Sequence, residues 1–304
     1  MPDKPAAEVL IDEPLVRSLL AQAETKVPDA ASRALRKTSE GWDSEVWRLG
    51  DDLAVRLPRR SLAAPLVLHE QQSLPLIGPP IEATGVRVPI PVFAGSPAGG
   101  YPWHWSIVPW FDGAAGIHVP RPQRAGWTSP LASALAALHT PAPADHPVNP
   151  VRGMPLAGRA AIVDERLALL RDTRAMPGAQ IDALARVWRA GVAAAPWERP
   201  AVWIHGDLHP GNLVADAGRL VALIDFGDVT AGDPAYDLSV AWLAFDAPAR
   251  AAFRAALDGR YDIATWTRAR AWAAAIATML VLHSDDNPDY GALGAESVPE
   301  VIAP

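Results

Sequence analysis

The run AVWIHGDLHPGNLVADAGRLVALIDFGD, residues 201–228, constrains the fold of this chain more than any other segment. AVWI reads as a short buried strand, and HGDLHPG is too polar to be anything but a turn. NLVAD and RLVALID read as two further strands joined by Asp216-Ala217-Gly218, a hairpin signal. Closing that hairpin brings Asn212, which enters the first strand, beside Asp225, which leaves the second. Asp207 lies on the preceding turn. Three oxygen-bearing side chains therefore meet at one open end of a buried scaffold.

That grouping suits one kind of chemistry. Transfer of a γ-phosphoryl group needs positioning and charge neutralisation more than covalent help. Magnesium takes hard oxygen ligands and keeps several waters, so one carboxylate and one amide plus a triphosphate suffice. Asp225 and Asn212 can supply those two, leaving Asp207 to orient an acceptor hydroxyl and take its proton. The D-x-x-x-x-N spacing alone is common. His205 and His209 read first as turn residues, and Asp233 as a helix N-cap. The loop, the hairpin and the second acidic turn in this order are specific.

His205-Gly206-Asp207, Pro210-Gly211-Asn212, Ile224-Asp225-Phe226-Gly227-Asp228 and Gly232-Asp233-Pro234 with Asp237-Leu238 resemble the signature segments of the aminoglycoside phosphotransferase family, relatives of the protein kinases. The resemblance implies an α+β, bilobal protein-kinase-like fold, with a small β-rich N-terminal lobe and a larger, mainly helical C-terminal lobe. It also implies ATP or GTP as donor, Mg2+ held by Asn212 and Asp225, Asp207 as the base, and Asp237 bracing the catalytic loop through buried hydrogen bonds. A protein kinase is excluded, because DFGDVTAGDPAYDL leaves no room for an activation segment.

On this resemblance residues 1–110 form the nucleotide-binding lobe, with a hinge at about 108–113, and residues 111–304 the catalytic and substrate-binding lobe. Ser39-Glu40-Gly41-Trp42-Asp43-Ser44 is the candidate phosphate loop, where backbone amides and the Ser44 hydroxyl can donate to phosphate oxygens. The family's phosphate-gripping lysine is replaced by Arg56, with Arg59 and Arg60 as alternatives; arginine keeps the charge but is no neutral substitute. Glu70, on the helix that follows, is spaced to pair with Arg56. In WSIVPWFDG the carbonyl of Pro109 and the amide of Phe111 are placed to read the nucleobase, with Val108 at its border.

Periodicity predicts helices over 12–25, from Leu62 to about Ile77, from Ser129 as N-cap with Pro130 in the first turn, and near 157–174, 179–194, 234–245, 247–257 and 263–283. It also predicts a proline-rich loop over 141–155 and a polar, proline-bearing tail. A net charge of −7 argues against a nucleic-acid partner. The absence of cysteine excludes disulfides and thiolate chemistry, and fits a reducing cytoplasm. The N-terminus lacks the pattern of a signal peptide, and the longest apolar run, AWAAAIATMLVLH, is too short to span a bilayer. No membrane partner is expected, and the oligomeric state is open.

The partner expected is a small hydroxylated acceptor. Asp228, Asp233, Asp246, Asp285 and Asp286 would favour a cationic, aminoglycoside-like one, although Asp285-Asp286-Asn287-Pro288 also reads as a solvated turn. The many tryptophans would favour a macrolide. A choline-, homoserine- or sugar-kinase-like role and a catalytically silent binding module are the alternatives.

Overall fold

A computed structural model of the protein describes residues 5–303. Near the N-terminus, α1 (Glu13–Leu20) starts at Asp12, whose carboxylate accepts from the Leu15 amide at 2.9 Å. Its buried stripe of Val16, Leu19 and Leu20 packs on one face of a five-stranded antiparallel sheet, against Trp47, Val55, Leu57 and Trp105. The strands are β1 (Leu35–Glu40), β2 (Ser44–Leu49), β3 (Leu53–Pro58), β4 (Phe93–Gly95) and β5 (Trp105–Pro109), in the order β1-β2-β3-β5-β4. Gly50 and Asp51 turn β2 into β3, pairing Leu49 with Leu53.

Between β3 and β4 runs α2 (Ala64–Glu82), longer than its periodicity predicts. Pro75, Pro79 and Pro80 lie inside it and remove backbone donors, which ordinarily ends a helix. The helix continues because Leu74, Ile77 and Ile81 are buried in the larger core, so packing outweighs the lost hydrogen bonds.

Past β5 the chain becomes mainly helical. A two-residue strand, β6 (Ala114–Ala115), is followed by α3 (Thr128–Leu138), α4 (Ala160–Thr173) and α5 (Gly178–Ala193). Helix α3 does not start at Ser129: a 3-10 turn over Arg121–Trp127 leads straight into Thr128, so no side-chain cap is needed. The β segment then supplies β7 (Val202–Ile204), β8 (Leu213–Asp216), β9 (Arg219–Leu223) and β10 (Thr230–Gly232). Strands β8 and β9 form the expected hairpin, with Ala217 and Gly218 both at positive φ (46° and 78°) as its tight turn requires. Strand β7 pairs with β10 instead, and β8 also pairs with β6.

The remaining helices are α6 (Ala235–Leu238), α7 (Val240–Ala244), α8 (Ala247–Ala255), α9 (Ile263–Leu282) and α10 (Pro288–Ile302). Asp246, Asp262 and Asn287 cap α8, α9 and α10 by accepting backbone N–H bonds. Helix α9 lies at the centre, with α4, α5, α6 and α10 against it. The tail is thus a helix: Leu293, Val298 and Val301 are buried, a periodicity that Pro288 and Pro299 mask in the sequence. The architecture is α+β and two-lobed, a small antiparallel sheet beside a larger helical region, and among the described residues no helix is long and apolar enough to cross a membrane.

Candidate active site

The turn after β7 is held from beneath. Asp237, wholly buried on α6, accepts from the His205 amide at 2.7 Å and the Gly206 amide at 3.0 Å. Its Oδ2 also meets His139 Nε2 at 3.1 Å. Gly206 has φ 83°, and a Cβ there would stand 2.3 Å from the Asp228 carbonyl oxygen, so only glycine fits. His205 Nε2 donates to the Ile224 carbonyl at 3.0 Å, while Nδ1 accepts from the Asp207 amide at 3.2 Å. Both ring nitrogens are committed to backbone, and His205 is a positioning residue.

Asp207 is thereby presented at the mouth of the turn, its side chain 37% exposed. Asn212 Nδ2 donates to the Asp207 carbonyl at 2.8 Å and to Asp207 Oδ2 at 3.3 Å. That fixes the amide with its oxygen free for another partner. The Asn212 carbonyl accepts from the Ile224 amide at 3.0 Å, which ties this end of the hairpin to the residue before Asp225. Asp225 itself has φ 65°, a left-handed conformation unusual for a residue with a side chain and a form of strain concentrated at functional sites.

Two groups flank Asp207. His209 Nδ1 accepts from the Gly211 amide at 3.0 Å, which leaves Nε2 facing Asp207 Oδ2 at 3.4 Å. Arg152 lies 3.2 Å from Asp207 Oδ1 and 3.1 Å from Asp228 Oδ2, and Asn149 donates to the other Asp228 oxygen at 2.6 Å. Burial opposes the charge on Asp207, but the His209 imidazole and the Arg152 guanidinium more than offset it and hold the carboxyl well below the usual carboxylate range.

Across the cleft, Arg56 on β3 donates to Glu70 Oε1 at 2.7 Å and to Asp225 Oδ1 at 2.9 Å. Burial pushes the Glu70 carboxyl up to about 7, with Arg56 opposing the rise and Asp225 adding to it. Arg59 and Arg60 are engaged elsewhere. Arg59 bonds Glu40 and the Gly41 carbonyl, and Arg60 bonds Asp43 at 2.6 Å, so both anchor the β1–β2 turn. At the opposite rim Trp42 Nε1, on that turn, donates to Asp286 Oδ2 at 2.8 Å.

One cavity of about 940 Å³ collects these groups. Ser44, Arg56, Val108, Pro109, Phe111, Asp207, Asn212 and Asp225 all line it. Glu70 and Asp237 stand behind the lining: Glu70 is buried against Arg56, which reaches the cavity, and Asp237 is buried beneath the His205-Gly206 turn that leads into Asp207. Arg56 Nε and Arg152 Nε are buried with no hydrogen-bond partner among the described residues.

The sequence model of the phosphotransferase enzyme family (APH) matches residues 34–272, most of the chain. The protein belongs to that family. None of the curated proteins matches it. Among solved structures, the phosphotransferase is similar to the GDP complex of wild-type aminoglycoside 2'-phosphotransferase-IIIa, with a TM-score of 0.68, 18% identity, and 96% of this chain and 99% of that one covered. It is also similar to the macrolide 2'-phosphotransferase MphH from Brachybacterium faecium as apoenzyme, with a TM-score of 0.59, 21% identity, and 92% and 97% covered. A third is the streptomycin-ATP-APH(2")-IIa ternary complex, with a TM-score of 0.54, 15% identity, and 93% and 96% covered. At these identities the likeness is one of fold, the protein-kinase-like fold expected from residues 201–238.

Several lining residues of this phosphotransferase escape a reading of its sequence. Arg152 is a single cation in a proline-rich loop, where no periodicity places it. Tyr290 reaches the cavity from α10, its ring edge-on to His209 at 5.3 Å. Asp286 belongs to an exposed turn, as predicted, yet that turn is also tied to Trp42 and borders the cavity. Asp233 accepts from the Ala235 amide, as an N-cap does, and is also paired with Arg268 at 2.6 Å, away from the cleft.

Proposed function

We propose that this phosphotransferase moves the γ-phosphoryl group of ATP or GTP onto a hydroxyl of a small molecule, with Asp207 as the base. The observation that carries this reading is that Asp207, Asn212, Asp225 and Arg56 face a single cavity, joined in two bonded pairs, Asn212 with Asp207 and Arg56 with Asp225. Asp207 takes the hydroxyl proton as the new O–P bond forms and the bond to the departing nucleoside diphosphate breaks. Arg56, steadied by Glu70, grips the phosphates. Pro109 and Phe111 read the base from the hinge, and Ser44 contacts the phosphates from the β1–β2 turn. Residues 1–110 bind the nucleotide and residues 111–304 carry the base and the acceptor.

Asn212 and Asp225 would hold Mg2+. The fit rests on their free oxygens: among the described residues neither Asn212 Oδ1 nor Asp225 Oδ2 accepts a hydrogen bond, while the Asn212 amide nitrogen and Asp225 Oδ1 are occupied. Two protein oxygens are too few for a closed cage, which suits an ion shared with phosphates. When bound, the ion would neutralise the β- and γ-phosphate oxygens. Asp225→Asn is expected to abolish the magnesium-dependent part of nucleotide affinity, read by calorimetry with and without the metal.

The known ligands of the structural neighbours, GDP in one and streptomycin with ATP in another, support a nucleotide donor and a hydroxylated antibiotic acceptor, and hence a role in resistance. The test is magnesium-dependent thermal stabilisation by ATP and by GTP, followed by turnover against a panel of aminoglycosides, macrolides and small alcohols. Stabilisation without transfer to any member would favour a silent binding module.

Two further outcomes follow from the geometry. Arg56→Ala is expected to weaken nucleotide binding by about 10- to 100-fold, the scale of a lost charge-assisted hydrogen bond; unchanged affinity would assign the phosphate grip elsewhere. Asp207 has a folded-state pKa held below its unfolded value, so it stays ionised until the pH falls through that lowered value. The pH profile of kcat/KM should therefore show no acid limb from this carboxylate between about pH 5 and 7. Arg152→Gln should raise the limb towards the ordinary aspartate range.

A further inference from the structure

Among the described residues, the carboxylates that line the cavity are all engaged, whereas two of its arginines are not. At the nucleotide end, Glu40 and Asp43 lie on the β1–β2 turn with Arg59 and Arg60, and Asp225 is held by Arg56. Asp207 and Asp228 share Arg152, and Asp286 takes the Trp42 donor. Those six carboxylates are all the acidic side chains that line the cavity. The far end is walled by α4, α9 and the 3-10 turn before α4. It presents Val163, Trp272, Ile276, Met279 and Leu280, together with the half-buried Arg159 and Arg166.

Neither of those arginines has an ion pair among the described residues. Asp164 and Glu165, next to Arg166 in sequence, are exposed and do not line the cavity. Burial holds the Arg166 guanidinium below its ordinary value, and Arg159 and Arg152 reinforce this. Cations packed near one another without a counter-ion are unfavourable. They are the more notable in a chain of net charge −7, where they do not belong to a general basic surface. A polycation entering this end would meet arginines against an apolar wall.

Resting on the phosphotransferase reading above, we propose that the acceptor is an anionic molecule with an apolar body, its acidic group bound by Arg159 and Arg166 and its body laid against Val163, Trp272, Ile276 and Met279. Such a ligand neutralises the arginines and covers the apolar wall, while its hydroxyl lies towards Asp207. The expectation of a cationic acceptor, drawn from Asp228, Asp233, Asp246, Asp285 and Asp286, finds no support at this end. Of those five only Asp228 and Asp286 line the cavity, and both are engaged.

The test uses two fluorescent probes with the same aromatic body. These are 8-anilinonaphthalene-1-sulfonate and the neutral N-phenyl-1-naphthylamine, titrated into the full-length protein. The wild type should bind the sulfonate at least about tenfold tighter than the neutral probe, and kanamycin should not displace it. Arg159→Gln with Arg166→Gln should erase that preference while leaving the neutral probe within about twofold of its wild-type affinity. Equal binding of the two probes by the wild type, a preference that survives the double substitution, or displacement by kanamycin would each overturn the proposal. Nucleotide-induced thermal stabilisation, recorded on the same proteins, reports on the phosphotransferase reading separately and confirms that the variants are folded. Loss of that stabilisation in the wild type would count against the enzyme, whatever the probes do.

Discussion

Asp207→Asn should lower phosphoryl transfer by about two to four orders of magnitude while leaving nucleotide affinity nearly unchanged. Asparagine has almost the same shape and can keep its contacts with the Asn212 amide and the turn. It cannot accept the hydroxyl proton at neutral pH. The nucleotide contacts proposed above lie on Arg56, Asn212 and Asp225; Arg56 and Asp225 are held by each other, Arg56 also by Glu70, and Asn212 keeps its bond to the Asp207 carbonyl. Arg152 loses one carboxylate but keeps Asp228 at 3.1 Å, so no cation is stranded. A split between kcat and nucleotide Kd is therefore the signature to measure, with the true acceptor in hand. Near-normal turnover in the variant would remove Asp207 from the role of base.

Asp237→Ala should be the most destabilising single change near the site, by about 3–5 kcal/mol. The carboxylate is wholly buried and accepts from two consecutive backbone amides, those of His205 and Gly206, as well as facing His139. Alanine leaves those donors in a dry interior with no alternative partner. Because the same amides set the path of the chain into Asp207, activity should fall further than unfolding alone explains. Chemical denaturation combined with assays well below the unfolding midpoint separates the two effects. A loss of less than about 1 kcal/mol would mean that water replaces the carboxylate. Asp237→Asn keeps one acceptor oxygen and should fall between the two proteins.

The part of the site that could be read from sequence is the part made by local geometry. Residues 205–225 form a turn and a hairpin, so the convergence of Asp207, Asn212 and Asp225 is legible from spacing, although an irregularity between Val214 and Ala215 shifts the register by one residue, which spacing does not reveal. Arg56 and Glu70 meet only when a strand and a helix dock, so the family resemblance, not periodicity, points to that pairing. Arg152, Arg159 and Arg166 gave no signal because nothing local dictates which way a loop or the exposed side of α4 will face. The same limit explains α2 and α10. Their prolines read as breaks, but burial of Ile77, Ile81, Val298 and Val301 decides the outcome. Buried Arg121 and Arg124, which donate to the carbonyls at the end of α7, likewise resemble surface charges until the fold is known.

The hydrogen bond from Trp42 to Asp286 joins residues 244 positions apart and closes the rim between the two lobes at an exposed point. Such a bond contributes about 1 kcal/mol, which biases a shut cleft over an open one by only about fivefold. A contact that weak does not by itself lock the rim, which leaves the two lobes free to part there.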